Sequence, residues 1–93
     1  MEPLRIGVIG DYNPRSPYHP ATTEAVLHAA GALGVEASVE WLPTRSLAGP
    51  MGEGLLEDRE GLIAGPGSPY RSLEGALRGI RFAREEKRPF LGT

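Results

Sequence analysis

Two kinds of hydrophobic pattern alternate along the chain. Short apolar or alternating runs at residues 4–10, 35–42, 61–65 and 89–92 are typical of β-strands. Residues 21–33 and 72–86 instead carry apolar residues at spacings of three and four, which predicts helices. Glycine and proline interrupt residues 44–60, so we expect a long irregular connection there, with at most one helical turn at Leu55-Leu56.

The two predicted helices carry residues that favour helix ends. Pro20 suits a first turn, and Gly34 suits the left-handed position just past a helix end. Ser72 can cap the second helix, and Glu74 lies in its first turn, where the helix dipole favours a carboxylate. We expect one apolar stripe of the second helix to be buried against the sheet: Leu73, Ala76, Leu77, Ile80 and Ala83.

The order of these elements predicts the fold class. Strands that alternate with helices indicate a single α/β domain over residues 1–93, with a parallel sheet in a three-layer α/β/α arrangement. The strand at residues 35–42 alternates between apolar and polar positions, as a strand near a sheet edge does. Ligands of such sheets bind beyond the carboxyl ends of the strands. Here those ends lead into Gly10-Asp11 and into Gly65–Ser68.

Composition excludes several classes of function. Ten basic and twelve acidic residues nearly cancel, which argues against nucleic acid as a partner. The chain has no cysteine, so disulfides, thiolate metal sites and cysteine nucleophiles are all excluded within it. His19 and His28 are too far apart for a paired helical metal site, so we expect surface or capping roles and neither metal nor cofactor. We expect a cytoplasmic protein without membrane contact, because no apolar run approaches the length of a membrane helix.

The strongest motif is the segment Gly65–Gly75, which reads GPGSPYRSLEG. Glycines after a buried strand let the backbone turn sharply and present N–H groups to a ligand, including an oxyanion. Taken alone, however, the glycines favour a plain turn between a strand and a helix. Asp11, after the first strand, is interpreted as a turn or cap residue.

The whole segment resembles a loop of the class I glutamine amidotransferase domain of the CTP synthase family. There an apolar strand runs into Pro-Gly-Gly-Phe-Gly and then Arg-Gly-x-Glu-Gly. The resemblance implies that Gly67 supplies an oxyanion-hole N–H and that Ser68 lies beside it in the glutamine pocket. The chain departs from the family at Pro66, where the family has its first glycine, and at Ser68, where it has phenylalanine.

The same resemblance assigns supporting roles to the ends of the loop. Gly65 and Pro66 begin it, and Arg71 and Glu74 fall on the family's Arg and Glu. It continues through residues 76–85 and through the Pro-Phe-Leu-Gly strand at residues 89–92, and is weaker in the first half of the chain. The implied fold is the front half of a flavodoxin-like amidotransferase domain.

The family's chemistry is hydrolysis of glutamine by a Cys-His-Glu triad, with transfer of the ammonia to UTP. Thr93 takes the position before the family's nucleophilic cysteine, so we expect a truncated domain with no catalytic residue of its own, inactive by itself. Glutamine is the expected ligand of a completed domain. The open sheet edge expected at the strand of residues 89–92 favours association, either as a homo-oligomer or with a complementing C-terminal half. Two alternatives remain open: a non-catalytic interaction or scaffold protein derived from this fold, and a small module that binds an anionic metabolite.

Overall fold

The computed structural model describes residues 3–65 and 70–92. Within these residues, four strands and four helices follow one another along the chain. Their bounds are β1 Leu4–Ile9, α1 Tyr18–Ala32, β2 Ala37–Leu42, α2 Thr44–Ala48, α3 Gly52–Glu57, β3 Gly61–Ala64, α4 Leu73–Glu85 and β4 Phe90–Gly92. The four predicted strands and the two long predicted helices are therefore confirmed, with small shifts at their ends.

All strand pairs of the described sheet are parallel, and the strand order is β2-β1-β3-β4. In the central strand, Ile6 lies opposite Val39 on one side and Gly61 on the other. β2 lies at one edge of the described sheet and pairs with β1 alone, as its alternating pattern predicted. The polar positions of that pattern face solvent. This order is that of a flavodoxin-like domain.

Helices cover both faces of the sheet. Neighbouring residues of a strand point to opposite faces, so Trp41 and Leu42 at the end of β2 contact helices on different faces. The indole Nε1 of Trp41 donates a hydrogen bond to Thr23 Oγ1 of α1 at 2.8 Å. Leu42, the next residue, belongs instead to a buried cluster with Leu47 of α2 and Ala76 of α4. The predicted three-layer α/β/α arrangement is confirmed.

The hydrophobic core lies between the sheet and α2, α3 and α4. Leu47 and Leu56 are fully buried in it, and both come from residues 44–60, which the sequence predicted to be mostly irregular. That prediction was wrong, because the segment forms α2 and α3. Burying a leucine side chain stabilises the fold by about 1.5–3 kcal/mol, which offsets part of the cost of ordering a short helix. The Arg78 guanidinium also donates to the carbonyls of Leu47 and Gly49, which ties α4 to the end of α2.

The buried face of α4 is built from small residues, and this corrects the predicted stripe. Ala76 and Ala83 are buried as expected and Ile80 is partly buried, but Leu73 is 65% exposed and Leu77 is 49% exposed. The inward positions beside the alanines are glycines. A methyl group added at Gly75 would lie 1.7 Å from the Thr44 carbonyl oxygen, and one added at Gly79 would lie 2.7 Å from Ile9 Cδ1. The helix therefore approaches α2 and β1 too closely for leucine to fit between them.

The predicted helix ends are largely correct. The Ser72 hydroxyl accepts a hydrogen bond from the Gly75 N–H at 3.1 Å, which caps α4. Gly34 has φ +74°, the left-handed conformation that favours glycine just past a helix. α1 begins earlier than predicted, at Tyr18. The Tyr18 N–H has no acceptor within the helix and donates to the Ser16 hydroxyl at 3.2 Å.

Candidate functional site

The strand order places two loops together at one point of the sheet. β1 is followed by β2 on one side, whereas β3 and β4 lie on the other side, so the order reverses between β1 and β3. Parallel sheets bind ligands beyond the carboxyl ends of their strands at this switch point. The residues that leave the two strands there are Gly10-Asp11 and Gly65. The Gly65 N–H donates to the Ile9 carbonyl at 2.9 Å, which ties the start of the second loop to β1.

The carboxylate of Asp11 joins three separate segments at this point. Its Oδ1 accepts the N–H of Thr44 at 3.0 Å. Its Oδ2 accepts the Thr44 hydroxyl at 2.7 Å and the N–H of Arg71 at 2.9 Å. Asp11 thereby holds the end of β1, the start of α2 and the residues just before α4 in fixed positions.

Thr44 extends this network to the helix that follows the loop. Its side chain is completely buried, and its hydroxyl accepts the Ser72 N–H at 2.9 Å while it donates to Asp11. Ser72 in turn caps α4 through the N–H of Gly75. A continuous chain of hydrogen bonds therefore runs from the end of β1 to the first turn of α4.

Hydrogen bonding holds the pKa of the Asp11 carboxyl below its usual range. Burial alone raises this pKa, because it disfavours the charged form. The Arg71 N–H, the Thr44 hydroxyl and the Thr44 N–H all donate to the carboxylate, and the Arg71 charge also favours it, so together they outweigh the effect of burial. Asp11 is therefore ionised at neutral pH and acts as a hydrogen-bond acceptor.

Tyr70 fixes the loop from its other end. Its hydroxyl donates to the Gly65 carbonyl at 3.1 Å, so the two described ends of the loop are joined directly. Gly65 is buried, and a methyl group there would lie 2.9 Å from atoms of both Trp41 and Val8. Glycine is thus required at this position by close packing against the α1 face of the sheet.

An open cleft lies beside the network, at the carboxyl ends of β1 and β2. Tyr12 and Trp41 form an edge-to-face aromatic pair there, with ring centroids 5.2 Å apart. His19 packs against Trp41 at 4.7 Å, is buried, and accepts the Asn13 N–H through Nδ1 at 2.8 Å. A surface or capping role was predicted for both histidines: burial contradicts the surface part for His19, whereas His28 is exposed. The cleft has a volume of about 310 Å³ and is lined by Asp11, Tyr12, Trp41, Pro43, Arg45 and Arg71.

The structure describes only part of the predicted site. Gly65 lies beside β1, and Arg71 is exposed and binds Asp11 through its backbone N–H. Glu74 lies in the first turn of α4 and is exposed. Three of the predicted residues, Pro66, Gly67 and Ser68, lie outside the described residues, so the oxyanion role stays a prediction.

Sequence reasoning missed the two residues that organise this site, Asp11 and Thr44. Asp11 was interpreted as a turn or cap residue, and Thr44 was placed in an irregular segment. A signal was available, since Asp11 follows the first buried strand, and Thr44 follows the proline that ends the second. In a parallel sheet both positions fall on the same edge, within reach of each other.

Within residues 3–65 and 70–92, no group of three or more His, Asp or Glu side chains is arranged to hold a metal ion. None of the helices in this part of the chain combines the length and apolar character needed to cross a bilayer.

Comparison with curated proteins finds relatives that match almost the whole chain. No family model matches it. The CTP synthase of Campylobacter jejuni strain 81-176 is 32% identical over 89 residues, which is 96% of this chain and 16% of the relative. The CTP synthases of Acidobacterium capsulatum and Sulfolobus acidocaldarius are each 34% identical over 96% of the chain. The chain spans about one sixth of the length of these relatives (16–17%). Over nearly all of its residues, this chain is therefore similar to one segment of CTP synthases.

Proposed function

We propose that this chain forms the front part of a class I glutamine amidotransferase domain of the CTP synthase kind. In that role it supplies the oxyanion loop and one wall of the glutamine pocket. The domain hydrolyses glutamine and passes the ammonia to a pyrimidine nucleotide, UTP in the family. The observation that carries the proposal is the segment Gly65–Gly75, whose motif resembles the family's loop and which follows β3 at the switch point of the sheet.

The surroundings of the loop support this role. Its first residue is tied to β1 and to Tyr70, and the residues that follow it are tied to Asp11 and Thr44. An oxyanion hole needs N–H groups that are already in position before charge develops, because reorganisation during the reaction removes the benefit. Anchors at both described ends of the loop favour that requirement, and it is the resemblance that assigns the oxyanion N–H to Gly67.

The nucleophile has to come from outside these residues. The family uses a cysteine thiolate, and the 93 residues contain no cysteine. Ser68 is not a substitute, because an unactivated hydroxyl needs an adjacent base. In the family the cysteine follows the apolar position that corresponds to Thr93, at the end of the strand that matches β4. That strand lies next to β3, so such a thiol would emerge beside the loop.

The test is ammonia release from glutamine, measured with this chain and with the product of the complete reading frame that contains it. We expect no release from the 93-residue chain. We expect release from a product in which a cysteine follows Thr93, and its loss when that cysteine is replaced by alanine. In the active product, Gly67→Pro removes the oxyanion N–H and should lower kcat by about 10²–10³-fold, whereas Gly67→Ala keeps the N–H. Release from the 93-residue chain that is sensitive to Ser68→Ala would overturn the proposal.

A second function is favoured by one surface. Ile6, Ile63 and Leu91 line an apolar groove of about 260 Å³ on the α1 side of the sheet, beside β4. Phe90 and Leu91 are exposed there. Exposed apolar surface next to a strand edge favours association with another chain. A non-catalytic interaction protein built on the amidotransferase fold is therefore the alternative, with a second copy or a complementing C-terminal half as its partner.

A further inference from the structure

Asp11 controls a part of the chain that is distant from it in sequence. Its carboxylate is 33 residues from Thr44 and 60 residues from Arg71, yet it accepts hydrogen bonds from both. The N–H groups of Arg71 and Ser72, bound to Asp11 and Thr44 respectively, lie within five residues after Gly67. The position of the loop end is thus set by Asp11, which follows the carboxyl end of β1.

We propose that Asp11 is a positioning residue for the loop between β3 and α4, and that it acts through Thr44 as well as directly. The catalytic part of this inference rests on the proposed function, in which that loop supplies the oxyanion N–H. Asp11 itself is not placed against glutamine. It holds the described end of the loop, Arg71 and Ser72, in a fixed position relative to β1, and the oxyanion N–H of Gly67 is what the resemblance implies.

The chemistry of the three bonds requires a carboxylate. All three groups that converge on Asp11 are donors: two N–H groups and one hydroxyl. An ionised carboxylate accepts through both oxygens and has no donor of its own. An asparagine would turn one NH₂ toward either Thr44 or Arg71, so at least one donor would lose its acceptor and face another donor. A lost hydrogen bond to a charged acceptor is also costlier than one to a neutral acceptor.

Apart from the bond of Tyr70 to Gly65, the hydrogen bonds that hold the described end of the loop lead to Asp11 and Thr44. Arg71 is exposed, and the bond that the structure gives its backbone N–H is the one to Asp11. Ser72 is joined to Thr44 by its own N–H, and Thr44 is joined to Asp11 twice. Catalysis is sensitive to such placement, because an error of about 1 Å can reduce a rate by about 10²-fold.

The experiment compares Asp11→Asn with Glu60→Gln. Glu60 is a matched control, since its carboxylate also accepts a backbone N–H, that of Arg5 at 2.7 Å, and its pKa is also lowered, chiefly by that bond. It lies just before β3, at the amino ends of the strands, whereas Asp11 lies at the carboxyl end of β1. Amide hydrogen exchange at Thr44, Arg71 and Ser72 is measured in the 93-residue chain. We expect Asp11→Asn to speed exchange at Thr44, at Arg71 or at both by about tenfold or more, the equivalent of one lost charge-assisted bond, because the asparagine leaves at least one of these N–H groups without an acceptor. Glu60→Gln should leave exchange at all three amides unchanged.

The kinetic arm uses the active product described above. Asp11→Asn should lower kcat for glutamine hydrolysis by at least about tenfold while KM changes little, because the oxyanion forms only in the transition state. Glu60→Gln should leave both constants unchanged. Unchanged exchange at Thr44, Arg71 and Ser72 in Asp11→Asn overturns the inference. A wild-type product that releases no ammonia overturns the proposed function instead, and the exchange result still decides whether Asp11 positions the loop.

A second pair of variants covers the case in which Asp11→Asn does not fold. Thr44→Val keeps the volume of the side chain but removes the hydroxyl that links Asp11 to Ser72. Thr44→Ser keeps that hydroxyl. We expect faster exchange at Ser72 in the valine variant and wild-type exchange in the serine variant. Equal exchange in the two variants would contradict a route from Asp11 to α4 through Thr44.

Discussion

Asp11 binds Thr44 through both of its carboxylate oxygens: Oδ1 accepts the backbone N–H at 3.0 Å and Oδ2 accepts the hydroxyl at 2.7 Å. Two bonds between the same residues fix orientation as well as distance, so the start of α2 has little freedom to move relative to β1. Because the Thr44 hydroxyl also accepts the Ser72 N–H, α4 inherits this position. The pair therefore connects the sheet to α2 and α4, two of the three helices that cover its core face.

The first prediction concerns pH. The Asp11 pKa is lowered in the folded chain, so the carboxylate contributes stability that is present above the unfolded pKa of about 4 and is lost as the pH falls through the lower folded value. We expect the free energy of unfolding, measured with urea, to fall below about pH 5. Asp11→Asn should make this decline less steep. Glu60 also has a lowered pKa, so the double variant Asp11→Asn with Glu60→Gln should show a smaller decline still. An identical pH dependence in Asp11→Asn and wild type would contradict this.

The second prediction concerns the close contact of α4 with α2. Gly75→Ala places a methyl group 1.7 Å from the Thr44 carbonyl oxygen, so the helix has to move away. We expect a loss of about 1–3 kcal/mol or more in unfolding free energy. Gly31→Ala is the matched control, because it also lies in a helix but a methyl group there meets nothing within 4 Å. It should stabilise the chain by about 0.5–1 kcal/mol. Equal effects would mean that the glycine contact is not as close as described.

The third prediction concerns the face that α4 buries. Leu77 is 49% exposed whereas Ala76 is 1% exposed, although the apolar pattern placed both in the core. Leu77→Asp leaves its charge in solvent and should cost no more than about 1 kcal/mol. Ala76→Asp buries a carboxylate without a partner and should cost several kcal/mol, or prevent folding. Thermal or urea unfolding of the two variants measures the difference. A larger loss for Leu77→Asp would restore the stripe predicted from the sequence.

The fourth prediction concerns association. Among the described strands, β4 pairs with β3 alone, and its residues Phe90 and Leu91 are exposed. We expect dimers or larger species by sedimentation at micromolar concentration, since an open strand edge beside apolar surface favours pairing. Leu91→Lys should shift the population toward monomer. Leu33→Lys is the control, because Leu33 is also exposed but lies at the end of α1. A compact wild-type monomer would show that this surface is not an interface between copies of the chain.

The sequence by itself determined the elements with strong local signals. The strand at residues 4–10, the capping serine at position 72 and the left-handed glycine at position 34 each depend on neighbouring residues, so they could be predicted from periodicity and end residues. The alternation of strands and helices then gave the parallel sheet. The motif after the third strand indicated the candidate site, and the similarity to CTP synthases agrees with the family it resembles.

Only the tertiary structure decided which surfaces meet. Leu77 looks like a core residue by its spacing, but the glycines at positions 75 and 79 let α4 pack so closely that no leucine fits. α2 and α3 are too short to be stable alone, and they form because Leu47 and Leu56 are buried by α4 and the sheet. The role of Asp11 depends on donors 33 and 60 residues away. No local pattern encodes such a bond, because its partners become neighbours only when parallel strands bring their carboxyl ends to one edge of the sheet.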